Sequence, residues 1–372
     1  MQRVLIFCLS GLGDTVMASP AIAALAAERD RFHLTLLTMF PSVQEYLREQ
    51  NFTDDVRFVD FLHASKTTLW WQVVALRRER FDVSVLPYPH NRFEYNMVAA
   101  LIGARMRIGF RYQKQRHRNF PWLNHKILDE DPKLHVVEEN LRWAAELTGR
   151  PLECIPDQMH ARISEAHSNK AAQFLHDMGI GADRFLVGIH PSCNPLKNQQ
   201  RRCWPIAHFR ALIEDLAVWY PRMSFVIFEG PQDEQLQSHV HSIHGRVAVA
   251  RRLPLPVAMG IIQRCKLFIS NDSGLLHLAA AAQVPCVAIF GPTNPTWVRP
   301  WRTKSKIVSR GLPCSPCFYY SSRPLRCSAK IDYACVRELP LDDVRQAIDQ
   351  LLDELGADVL LHEKIHNNSH IR

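Results

Sequence analysis

The chain has 372 residues, more than one hydrophobic core usually organises, so two domains of ordinary size are expected. Apolar residues make up 47% and charged residues 22%, proportions of a globular protein, and no apolar run is long enough to cross a bilayer. A formal net charge of +8 calls for an anionic partner but does not choose among nucleic acid, a membrane surface and a phosphorylated substrate.

Short β-type runs alternate with amphipathic helical stretches, the order that builds parallel sheets. Val4 to Leu9 reads as a buried strand, Thr15 to Arg29 as a helix and His33 to Thr38 as a second strand. Strands at Asp55 to Val59 and Asp82 to Leu86 follow, with a helix from Thr67 to Arg80 between them. After a helix from Ser164 to Met178, a second series opens with strand Phe185 to His190, helix Ile206 to Trp219 and strand Ser224 to Glu229. It continues with strand Leu267 to Ser270, helix Gly274 to Ala282 and strand Cys286 to Phe290, and it ends in helix Leu341 to Leu355. The expected division is 1–178, 179–355 and a polar tail, 356–372. Met1 to Leu9 is basic and then apolar, like a secretion signal, but Asp14 and the strand-turn-helix pattern argue against removal. Ten scattered cysteines fit reduced thiols in a cytoplasm.

In open α/β sheets ligands bind beyond the carboxyl ends of strands, where loops meet helix N-termini, and two motifs fall there. The first is CLSGLGDTV, residues 8–16, in which Gly11 and Gly13 allow unusual backbone conformations and close ligand approach. As a dinucleotide fingerprint it is weak, because Val16 stands where a third glycine belongs. Asp14 admits two readings: a helix cap, or a base that takes a proton from a hydroxyl. The second motif, 268–295, opens a helix around Asp272, Ser273 and Gly274, whose free N–H groups can hold phosphate oxygens, with His277 four residues after Ser273. Lys197, Arg201 and Arg202 in the loop 188–205 can neutralise a diphosphate, and Glu234 or Asp233 can reach a ribose. Local capping and solvated charge are the bland alternatives for each.

The loop 10–14, the element Arg202 to Pro205 and NDSGLLHLAAA with the following VPCVAIFGPTNPTWVRPW resemble glycosyltransferase family 9, the heptosyltransferases, in order and separation. The resemblance implies a GT-B fold, two Rossmann-like doubly wound domains facing across a cleft, with the last helix packing back onto the first domain. It also implies inverting, metal-independent transfer of heptose from ADP-heptose to a hydroxyl of a lipopolysaccharide inner core at the inner face of a membrane. Asp14 takes the general-base position; Asp272, Ser273, Gly274 and His277 take the donor positions. Arg202 stands where the family has a phosphate-binding lysine, so Lys197 shares or replaces that role. A protein acceptor, or a silent nucleotide- or carbohydrate-binding protein, remains the alternative.

Two features stand apart from these motifs. Residues 105–118, RMRIGFRYQKQRHR, are basic and carry aromatics; Arg107, Arg111, Lys114 and Arg116 are candidates, beside Gly11 and Gly13, for holding an anionic glycolipid acceptor. No nucleic-acid recognition pattern accompanies them. Cys314, Cys317, Cys327 and Cys335 have a spacing that permits a structural zinc or iron site of four thiolates, or unligated thiols. These cysteine-bearing segments resemble those in some members of the family, including the iron-binding autotransporter heptosyltransferases.

Overall fold

The computed structural model describes residues 1–114, 119–193, 196–230, 245–321 and 323–356; the candidates Arg116, Asp233 and Glu234 and nearly all of the polar tail lie outside them. Among the described residues there are two six-stranded sheets, and every pairing in them is parallel. The first contains β1 (Gln2–Cys8), β2 (Phe32–Thr38), β3 (Val56–Phe58), β4 (Val83–Val85), β5 (Met106–Arg111) and β6 (Lys126–Asp129). The second contains β7 (Phe185–His190), β8 (Met223–Glu229), β9 (Val247–Arg251), β10 (Leu267–Asn271), β11 (Cys286–Phe290) and β12 (Ser305–Ser309).

The orders are β3-β2-β1-β4-β5-β6 and β12-β11-β10-β7-β8-β9, so the second sheet repeats the first sheet's order read from the other edge. Each is the doubly wound arrangement, whose connections reverse direction once. The reversal falls between β1 and β4 in the first sheet and between β7 and β10 in the second. A crevice opens at each of these points, because the flanking loops leave towards opposite faces of the sheet. Val4, Leu5, Ile6 and Phe7 are fully buried, as are Phe268 and Ile269, which is why the central strands read as continuous apolar runs rather than alternating ones.

The lobes meet through two helix starts. Helix Leu12–Ala26 follows β1 and helix Gly274–Ala281 follows β10, and their first turns abut. A Cβ added at Gly13 would lie 2.6 Å from His277 Cδ2 and 3.4 Å from the Gly274 Cα, and one added at Gly274 would lie 3.2 Å from the Leu12 Cβ. Neither Gly11 nor Gly13 has a positive φ, so their backbone conformation demands no glycine; at Gly13 the close approach does. These helix starts are already in contact. One apolar cluster continues from Val4 and Ile6 through Met17 and Ala21 to Leu278, Ala279 and Phe290.

The last helix, Leu341–Glu354, does not pack on the first lobe as the resemblance implied. Its apolar stripe, Val344, Ile348, Leu351 and Leu352, is buried in the second lobe's own core against β11, β12 and helix Ile206–Trp219. Crossing is done instead by helix Glu165–Asp177, which packs on helix Leu255–Ile262 while Glu49 of the first lobe accepts from the Ser164 N–H at 2.7 Å.

Gly13→Ala should therefore destabilise the protein by about 1–3 kcal/mol, the cost of overpacking a closed contact. Urea denaturation checks it; an unchanged midpoint would mean that the helix starts can part freely.

Candidate active site

A cavity of about 490 Å³ lies over both reversal points, lined by loops from both lobes, among them Gly11, Gly13 and Asp14, Lys197 and Arg202, and Asp272 to Leu275 with His277. The loop after β1 is fixed from the neighbouring strand's loop. Leu9 donates its N–H to His90 Nε2 at 3.2 Å, Tyr95 Oη donates to the Leu9 carbonyl at 3.2 Å and Ser10 Oγ donates to the Pro89 carbonyl at 3.1 Å. Burial pulls His90 down to about 4, so its ring is neutral and its Nδ1–H donates to the Pro87 carbonyl.

Asp14 sits in the first turn of helix Leu12–Ala26. Its Oδ2 accepts the Gly11 N–H at 3.2 Å, the only hydrogen bond to this carboxylate among the described residues. Burial pushes the carboxyl up to about 7; Asp272 adds to the rise, while the Gly11 bond, Arg202 and Lys197 oppose it. The capping reading is realised with one oxygen. The same group lines the cavity with the proton affinity that suits a base at neutral pH.

At the second turn, Ser273 caps helix Gly274–Ala281 by accepting the Leu276 N–H at 3.4 Å. Its hydroxyl also meets His190 Nδ1 at 2.8 Å and Ser270 Oγ at 3.0 Å. Asn271 ties the turn to its surroundings, accepting the Trp204 N–H at 2.9 Å and donating to the Pro191 carbonyl at 2.5 Å. Asp272 is paired with the Arg202 guanidinium at 2.9 Å, which also reaches Thr293 Oγ1 at 3.3 Å and lies 5.8 Å from the centre of the Phe318 ring. Arg202, expected to face a diphosphate, is salt-bridged to Asp272 while it lines the cavity. Its charge is matched by Asp272, and what the pair leaves open is the helix end, where the Gly274 and Leu275 N–H groups have no intrahelical acceptor. His277 lies 3.9 Å from Asp272, is pulled down to about 4 by burial and so stands neutral, with Nδ1 unbonded among the described residues.

Lys197 is the cation that the turn leaves available. Burial, then the charge of Arg92, pulls it down to about 8, whereas Glu94 and Asp14 hold it up. Its backbone has a left-handed φ of 58°, a conformation worth about 1–3 kcal/mol of strain that neighbours must hold. They do: Leu325 donates its N–H to the Lys197 carbonyl at 2.9 Å, and Lys197 Nζ donates to the Ser321 carbonyl at 2.8 Å.

Those partners belong to a segment that no local sequence pattern places here. Between β12 and helix Ala334–Arg337 the chain crosses to the first lobe. The Tyr320 carbonyl accepts from Asn91 Nδ2 at 2.8 Å, Tyr319 Oη donates to the Glu130 carboxylate, and the Tyr320 ring stacks on Trp297 at 6.1 Å. Tyr320, Asn91 and Arg92 all line the cavity. Arg92 stands at the N-cap position of helix Phe93–Ile102, in the loop after β4, without a side-chain cap bond, and its Nε is buried without a partner among the described residues. The position of Arg92 at a strand's carboxyl end was a usable signal; nothing local marked the tyrosines.

The basic segment is placed elsewhere. Met106–Arg111 is strand β5, with Arg107 spent on the Leu123 and Ala104 carbonyls and Arg111 paired with Asp129 at 3.4 Å. Lys114 lies against the Tyr319 ring at 5.1 Å. None of the three lines the cavity. The four clustered cysteines line a separate small cavity of about 10 Å³ with Pro292 and Tyr333, and the Tyr333 N–H donates to Cys327 Sγ at 3.3 Å. Among the described residues no three His, Cys, Asp or Glu side chains already stand at metal-holding spacing.

The model of glycosyltransferase family 9 (heptosyltransferase) matches residues 72–326. Lipooligosaccharide heptosyltransferase 2 of Campylobacter jejuni is 21% identical over 356 residues, which is 94% of this chain and 99% of that protein. Among solved structures, the glycosyl transferase family 9 protein of Veillonella parvula superposes with a TM-score of 0.75 at 20% identity, covering 95% of this chain and 98% of that one. The ADP-heptose lps heptosyltransferase II of E. coli superposes with a TM-score of 0.71 at 18% identity, covering 96% and 100%.

The raised Asp14 carboxyl has a signature in stability. The folded state keeps a proton that the unfolded chain has released between roughly pH 4 and pH 7. The stability this group supplies is therefore full below about pH 4 and is lost as pH rises through about 7. Asp14→Asn should melt a few degrees above wild type at about pH 8, with the gap closing in acid. A variant that melts well below wild type at that pH would show that the fold uses this carboxylate as a cap.

Proposed function

The chain belongs to glycosyltransferase family 9 and is a glycosyltransferase, and from that premise we propose that it moves heptose from ADP-heptose to a hydroxyl of a lipopolysaccharide inner-core acceptor. The donor is the one in the name of the similar ADP-heptose lps heptosyltransferase II of E. coli, and the chemistry of the cavity supports it. Asp14 and the open end of helix Gly274–Ala281 share one cavity, and this observation carries the reading. We assign the acceptor to lobe 1–178 and the donor to lobe 179–355.

The reaction is a single inverting displacement. Asp14 takes the acceptor hydroxyl's proton as that oxygen bonds to the anomeric carbon, and the bond from that carbon to the β-phosphate oxygen breaks, leaving its electron pair on ADP. The Gly274 and Leu275 N–H groups and Lys197 receive the leaving charge, where a donor aimed at developing charge is worth most. Asp272, held by Arg202, orients the helix end rather than touching phosphate. Neutral His277 offers a hydrogen bond to the donor without adding charge. Arg92 faces the same space from the acceptor lobe. The acceptor is an anionic glycolipid met on the cytoplasmic side; no described helix is long and apolar enough to cross a membrane.

Asp14→Asn should lower turnover by about 10²–10⁴-fold and leave ADP-heptose affinity within a few fold, and wild-type activity should rise with pH through about 7. Equal transfer by both proteins would reduce Asp14 to a helix cap.

We also propose that Cys314, Cys317, Cys327 and Cys335 hold a structural zinc or iron ion. Four thiols line one small cavity, one of them accepting a backbone N–H, and drawn together on one ion they would form a closed donor set that leaves no position for substrate. Bound metal would fasten the segment that carries Phe318, Tyr320 and Ser321 over the cavity. Protein purified without chelator should contain about one such ion per chain, and Cys314→Ser should lower both metal content and melting temperature. Metal-free wild type that melts unchanged after chelation overturns the assignment.

A further inference from the structure

The outer face of the first lobe, away from helices Leu12–Ala26 and Pro41–Gln50, is covered by helices Lys66–Arg78 and Phe93–Ile102, which pack side by side. Their inner sides are ordinary core: Val73 and Leu76 from one, Tyr95, Ala99 and Ile102 from the other. Their outer sides are not an ordinary surface. Trp70 and Trp71 are 56% and 63% exposed. Phe93, Met97 and Leu101, spaced four apart, form an exposed apolar ridge along the second helix. Trp122 extends the same surface, since Phe120 stands between Phe93, 5.9 Å away, and Trp122, 4.8 Å away. Isolated exposed apolar residues need no explanation; three indoles and a continuous ridge on adjoining elements do.

The charges on helix Lys66–Arg78 identify the occupant. The helix contains Lys66, Arg77 and Arg78 and no acidic residue, so its exposed tryptophans are flanked at both ends by cations. Indoles with lysine and arginine beside them are the chemistry of the interface between water and an anionic bilayer, where the rings seat at headgroup depth and each cation gains from the surface potential. A second copy of this chain fits poorly, because a two-fold contact would set these cations against their own counterparts.

The position relative to the cavity agrees. Helix N-termini lie at the carboxyl ends of the strands, the side on which the cavity opens. Leu62, four residues before the first helix, and Arg92, at the N-cap position of the second, both line it.

We propose that this two-helix face, centred on Trp70, Trp71 and the Phe93–Met97–Leu101 ridge, docks the enzyme peripherally on an anionic lipid bilayer and so presents the cavity mouth to a lipid-linked acceptor. The inference rests on the lipid-linked acceptor of the proposed function only for its purpose. Docking itself needs neither donor nor acceptor.

The experiment uses the full chain with sugar-free vesicles of phosphatidylethanolamine and phosphatidylglycerol, compared with pure phosphatidylcholine, read by co-sedimentation and by tryptophan emission. Wild type should bind the anionic vesicles at least about tenfold more tightly, lose that preference in high salt and shift its emission to the blue. Trp70→Ser/Trp71→Ser should lose about tenfold or more in vesicle affinity with an unchanged melting temperature, and Lys66→Gln/Arg78→Gln should lose the lipid preference. On a deacylated, water-soluble acceptor the tryptophan variant should turn over like wild type, while on acceptor embedded in vesicles its KM should rise. Wild type and the tryptophan variant binding anionic vesicles equally overturns the proposal. So does a wild type that ignores both vesicles and dimerises through this face in sedimentation velocity. Vesicle binding as described, with no sugar transfer from ADP-heptose, would leave docking intact and sink the donor assignment instead.

Discussion

The site depends on one steric contact, the approach of two helix starts through Gly13 and Gly274. A side chain at Gly13 would occupy space that His277 fills, so the first turn of helix Leu12–Ala26 can lie against the first turn of helix Gly274–Ala281 only with glycine there. Each helix follows the strand at its own sheet's reversal point, so the contact brings two crevices together into one cavity. Asp14 and the open N–H groups of Gly274 and Leu275 share that cavity as a consequence, although 260 and 261 positions separate them in the chain.

Electrostatics then divides the labour. Two carboxylates in one buried site oppose each other's ionisation, and the structure resolves the conflict by giving Asp272 a guanidinium and Asp14 a single backbone N–H. Asp272 is neutralised in place and Asp14 is left with a proton affinity near neutrality. Lys197, held in a left-handed backbone conformation by the crossing segment, lines the same cavity as the Arg202–Asp272 pair.

The central strands and the helices after them were legible in the sequence because burial on both faces writes itself as short apolar runs: Phe185–His190, Ile206–Trp219 and Cys286–Phe290 stand where the pattern put them. Strand β5 was hidden by its own composition, since Arg107 and Arg111 find partners across the chain and so look, in sequence, like a solvated or ligand-binding run. Helix Phe93–Ile102 and the segment around Tyr319 and Tyr320 failed for a different reason. Their roles are long-range contacts, Asn91 to Tyr320 and Glu130 to Tyr319, which no local spacing encodes. Asp14 was legible as a candidate, but its choice between cap and base turns on burial and on Asp272, which only the fold brings near.

The most direct measurement is a crystal structure of the enzyme with ADP-heptose bound. The expected result has the diphosphate on the Gly274 and Leu275 N–H groups with Lys197 beside it, and the anomeric carbon facing the Asp14 carboxylate across room for one hydroxyl. A diphosphate seated instead on the Gly11 to Gly13 loop, with the sugar directed away from Asp14, would contradict it.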